Sequence, residues 1–153
     1  MTIVNIFCLV LAFFACVYDL RTFKIPNRLS FIGILAGTIY NLVVYGLHGI
    51  KISALGILYP IAILSAFFIM RFLGAGDIKL LSAIGAFTGA RVLRIMFLTF
   101  MIAAVYSFIV VVYKLVNTFI IKKNKEKYKF SKLHLSIPVF LACMVRLIEE
   151  FTV

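Results

Sequence analysis

Two aspartates are the residues best placed to do chemistry in this sequence. The chain has five acids, Asp19, Asp77, Glu126, Glu149 and Glu150. The glutamates fall in a charged linker or at the tail, whereas Asp19 and Asp77 each abut an apolar stretch. A carboxylate at the edge of hydrocarbon is costly and points to function. Two carboxylates held close together cannot both ionise readily, so one keeps its proton. The ionised member can take a proton from water while its partner gives one to a peptide carbonyl. Helix macrodipoles favour the anion at Asp77, which opens an apolar run, and the neutral form at Asp19, which closes one. Such a pair titrates as a unit. Each acid alone also has a structural reading. Asp19 could be a helix-end acid paired with Arg21 or Lys24, and Asp77 a helix cap. Gly74 and Gly76, just before Asp77, would let a substrate backbone approach and would permit a positive φ, or would form a tight loop.

The elements that must position these groups follow from composition. Of 153 residues, 65% are hydrophobic and 14% charged, against about 45–50% and about 25% in soluble domains. One globular core of this size cannot absorb the excess. The expectation is a single integral membrane domain over residues 1–153; a soluble enzyme, a secreted domain and a disordered tail are excluded. The net charge is +11, from 16 Lys and Arg against five acids. Beside apolar runs such a balance marks cytoplasmic loops next to anionic membrane lipid, and no nucleic acid partner is expected. Cys8, Cys16 and Cys143 are dispersed without a CxxC pair and read as small buried hydrophobes. His48 and His134 are isolated, so neither a metal site nor a cofactor is expected.

Six apolar runs are expected as helices: 3–18, 29–47, 52–70, 78–90, 92–121 and 133–147. Spanning hydrocarbon takes about 20 residues, so the fourth is short and would need shielding by its neighbours. None alternates as a barrel strand does, which predicts an all-α fold of six transmembrane helices. With the N-terminus outside, twelve Lys and Arg fall inside, seven of them at Lys114 and in the linker 122–132. Lys51, Arg91, Arg94 and Arg146 stay outside. The positive-inside rule therefore predicts a multi-pass protein of the cytoplasmic membrane with both termini out. That topology puts Asp19 and Asp77 at one depth near the cytoplasmic face.

The stretch Gly74-Ala75-Gly76-Asp77-Ile78-Lys79-Leu80 resembles the GxGD signature of intramembrane-type aspartyl proteases. Its extension, GxGDxKL, is similar to the prepilin peptidase (type IV leader peptidase) branch. Tyr18-Asp19-Leu20-Arg21-Thr22-Phe23-Lys24-Ile25-Pro26-Asn27 resembles that family's first motif, an Asp ending helix one followed by a basic stretch and Ile-Pro-Asn. Leu135-Ser136-Ile137-Pro138 resembles the proline-bearing start of its last helix. The resemblance implies cleavage of the basic leader of type IV pilin-like precursors by a metal-free, two-aspartate mechanism. It carries Asp19 and Asp77 over as the catalytic pair, and Gly74 and Gly76 as the loop shaping the site. Lys79, Pro26 and Asn27 match family positions. Pro26 pushes Ile25 off helical geometry, so helix one should stop near there.

The segment Asp19–Arg28 is short and lacks the paired cysteines of the larger bifunctional members. It is similar to the short form of the tight-adherence (Flp) pilus type or to an archaeal preflagellin peptidase, and N-methylation is not expected. Presenilin-like proteases need a Pro-Ala-Leu motif, which Ser136-Ile137-Pro138 is not. A rival reading from another class is a small proton- or cation-coupled carrier, although carrier sites usually lie nearer the midplane.

Overall fold

The computed structural model describes residues 2–22, 25–70, 73–120 and 136–152 of the chain, and all its regular elements are helical. They are α1 (Thr2–Thr22), α2 (Asn27–Tyr45), α3 (Leu47–Ile69), α4 (Ala75–Thr88), a 3-10 turn (Gly89–Arg91), α5 (Val92–Ile120) and α6 (Ser136–Thr152). Six apolar runs thus become six α-helices. The lysine-rich linker 122–132 and His134 lie outside the described residues. Four segments among the described residues are long and apolar enough to cross a membrane: Ile3–Thr22, Asn27–Tyr45, Leu47–Ile69 and Ala75–Tyr113.

Sequence chemistry explains where the helices stop. Pro26 caps α2 at φ −66° and ψ 132°, an extended geometry that separates it from α1. Gly46, at φ 61°, lets α2 turn into α3 through one residue, a tighter hairpin than the apolar runs suggest. The apolar run 78–90 is displaced: α4 begins three residues earlier and takes in Gly76 and Asp77.

α4 is the centre of the molecule. Its 14 residues rise about 21 Å, less than the roughly 30 Å of a hydrocarbon core. Every residue from Leu80 to Gly89 is buried. The outer helices show lipid-type surface instead, with Val43 79% and Leu47 81% exposed. Apolar side chains gain little by leaving lipid, so close backbone approach and polar contacts must hold such a bundle together. Glycines provide the approach. Gly33 and Gly37 of α2 face Ala83 and Ala86 of α4, and Gly56 of α3 meets Gly85 of α4 backbone to backbone.

A buried polar knot closes the far end of α4. Asn41 Nδ2 donates to the carbonyls of Ala86 (2.8 Å) and Phe87 (3.3 Å), and Ser53 Oγ also donates to Ala86 (2.8 Å). Asn41 and Ser53 are each 1% exposed. They satisfy carbonyls that the last helical turn leaves without partners. Arg91, Arg94 and Arg146, three of the four cations expected outside, gather at this same end. Arg146 Nη1 donates to the Arg91 carbonyl at 3.2 Å, and Arg94 pairs with Glu149 at 3.6 Å.

Candidate active site

At the opposite end of the bundle, α1 stops and α2, α4 and α6 begin. Asp19 sits in the last turn of α1 and Asp77 in the first turn of α4. The charge of Asp19 is felt at Asp77, so the two carboxyl groups lie within electrostatic range across the α1–α4 contact. Both are partly buried. The two apolar-flanking acids, 58 positions apart in the chain, therefore lie at the same end of the bundle.

Asp77 is held by its own helix. It occupies the third helical position rather than the cap, which is Gly74. Its Oδ2 accepts the Gly74 N–H at 3.3 Å, satisfying one of the donors that a helix start leaves open. Gly74 has φ −80° and Gly76 lies inside α4, and the positive-φ glycines are Gly46 and Gly89. Neither Gly74 nor Gly76 uses the positive φ that glycine permits, and at both the added carbon would be crowded. A Cβ on Gly74 would stand 3.2 Å from Asp77 Oδ2, crowding the carboxylate that folds back onto the loop. A Cβ on Gly76 would stand 3.3 Å from the Ile25 Cβ, so this glycine lets Ile25 sit against α4.

Asp19 takes its hydrogen bond from another element. Ser136 Oγ, at the start of α6, donates to Asp19 Oδ2 at 2.6 Å. Ser136 is missing from the residues picked out by spacing, and Ile25 likewise enters only through its packing. The proline-bearing start of the last helix was the available signal for Ser136.

The remaining motif residues also converge. Lys79 Nζ donates to Asn27 Oδ1 at 2.9 Å, joining the two sequence motifs across α4 and α2. Lys79 and Asn27 line a shallow groove of about 490 Å³ with Arg28, Ser30, Phe31 and Ile34. Pro26 acts one step back, by placing Asn27 as the first residue of α2. Among the described residues, no three His, Cys, Asp or Glu side chains come together as a metal-holding group.

The Ile25 contact yields a test. Gly76→Val should press on Ile25, shift the start of α4 and lower any activity of the Asp19–Asp77 pair by about 10²-fold, the scale of a 1 Å misplacement. Adding Ile25→Ala should restore much of it. A double variant as inactive as Gly76→Val would mean that the valine meets the substrate instead.

Residues 6–112, more than half of the chain, match the model of the type IV leader peptidase family. The match includes Asp19, Pro26, Asn27, Gly74, Gly76, Asp77 and Lys79 and ends before α6. No curated protein and no solved structure matches the chain.

Proposed function

The chain belongs to the type IV leader peptidase family, and from that premise we propose that it is a membrane aspartic endopeptidase removing the basic leader of type IV pilin-like precursors at the cytoplasmic face. The observation that supports this reading is that Asp19 and Asp77 stand within electrostatic range of each other at the bundle end where α1 stops and α4 starts. One carboxylate takes a proton from water, which adds to the scissile carbonyl, and the protonated partner gives its proton to the carbonyl oxygen. Collapse of the tetrahedral adduct breaks the C–N bond as the leaving amine is protonated. The pair works as one titrating unit, so neither role belongs permanently to one residue. The reaction draws on no metal and no cofactor. The short, cysteine-free Asp19–Arg28 segment supports cleavage without N-methylation.

The substrate helix would lie against the bundle with its basic leader toward the headgroups. A peptide bond inside a stable helix is poorly exposed, so the scissile junction has to be extended. Precursors with a short, flexible, glycine-containing junction should be cut, and those with a continuous helix there should be poor substrates. The test is detergent-purified protein, a panel of pilin-like precursors, and mass spectrometry of the products. Cleavage at the leader junction supports the proposal. No cleavage, together with cation flux in liposomes, would replace it with the carrier reading.

The proposal includes an orientation. Cysteine labelling should find 122–132 accessible from the cytoplasm and both termini from outside, as the twelve-to-four charge split demands. External labelling of 122–132 would turn the site away from the cytoplasm and overturn that part.

A further inference from the structure

The contact between α6 and α1 has its own logic. Cys8, Ala12, Ala15 and Asp19 form one stripe of α1, spaced four, three and four residues apart. Val139, Ala142 and Cys143 of α6 belong to the same buried cluster as the first three. Cys143 lies near Cys8, while Ser136 meets Asp19, so the two helices run antiparallel. Small side chains along this seam let the helices approach closely.

The stripe ends on two polar groups. Ser136 is fully buried, and its hydroxyl donates a short hydrogen bond to Asp19 Oδ2 at 2.6 Å. The hydroxyl also reaches Cys16, one turn earlier on α1. Pro138, also buried, occupies the first turn of α6, where a missing N–H costs nothing. The serine is therefore mounted on a fixed helix start. Having no exposed surface, it cannot touch a substrate, and it lies outside the segment that matches the family.

We propose that Ser136 is the positioning residue for Asp19. Its hydroxyl engages Oδ2, holds the carboxyl group in one rotamer at the end of α1, and leaves Oδ1 for the reaction. This proposal rests on the two-aspartate reading given above. It also gives α6 a task in catalysis: it delivers the donor that α1 cannot supply to its own last turn.

The test is to measure kcat and KM separately for precursor cleavage by the full chain in detergent. The proteins compared are wild type, Ser136→Ala, Ser136→Thr and Asp19→Asn, each with a thermal melt. Ser136→Ala should lose about tenfold to a hundredfold in kcat, the scale of leaving a part-buried polar group without its hydrogen-bond partner. Its KM should stay within about twofold, because Ser136 does not touch substrate. Ser136→Thr, which keeps the hydroxyl, should recover most of kcat. If Asp19→Asn is inactive while Ser136→Ala keeps full kcat, the positioning role falls and the aspartate pair stands. If Asp19→Asn is itself active, the pair and the positioning role fall together. Threonine as slow as alanine at equal melting temperature also overturns the role. Should Ser136→Ala not fold, Ser136→Cys replaces it as a variant of similar size with only a weak donor. Cysteine slowed relative to threonine supports the role, and equal rates overturn it.

Discussion

Asp19→Asn and Asp77→Asn should each reduce precursor cleavage by at least ~10³-fold, within the range that positioned acid–base groups contribute. The substitution is close to isosteric, and its amide oxygen can still accept the contacts seen here. Ser136 can still donate to residue 19 and the Gly74 N–H to residue 77. Insertion and folding should therefore survive, leaving the chemistry as the loss. Neither amide can take a proton from water or hand one to a carbonyl. Because the carboxyl groups act as one unit, the double variant should be no slower than the slower single one. Single-turnover cleavage followed by mass spectrometry reads this directly. If either purified variant kept more than about a tenth of the wild-type rate, the two-aspartate mechanism would be wrong.

Gly85→Val should be the most damaging change away from that site. Gly85 and Gly56 press their backbones together, and a Cβ on either would collide with the other's carbonyl oxygen. Backbone on both sides cannot yield as a flexible side chain can, so α3 and α4 must separate. That would also pull Ala86 and Phe87 from Asn41 and Ser53, leaving buried carbonyls unsatisfied. The combined cost should exceed about 3 kcal/mol. Gly46→Ala is the control. Its φ of +61° opposes any side chain, but nothing lies within 4 Å of the added carbon. With ψ at −146° it lies in a region kept almost wholly for glycine, so its cost should be about 1–3 kcal/mol. Thermal melting of the detergent-solubilised protein separates the two. Equal melting temperatures for Gly85→Val and wild type would mean that α3 and α4 do not meet at these glycines.

The sequence alone determined the number and kind of elements, because hydropathy and chain punctuation are local properties. Six apolar runs, Pro26 and the glycine-bounded segments became six helices, with ends shifted by a few residues. It also singled out the two acids, since a carboxylate beside an apolar run is conspicuous without any structure. What it could not determine is which face of α1 to α5 turns inward. α1 to α5 are apolar nearly all round and carry no amphipathic stripe to show it, and lipid supplies no contrast. Only the tertiary structure decided that Gly33, Gly37, Gly56 and Gly85 line the contacts around α4. The same holds for what surrounds Gly74 and Gly76, which the sequence reading gave as room for a substrate backbone or as a tight loop. In the fold an added carbon at these positions would crowd Asp77 and Ile25. Ser136 shows the limit most plainly. It stands 117 positions from Asp19, beyond the reach of any helical spacing. The two meet only because small residues let α6 pack closely along α1, and a contact of that kind is decided in space.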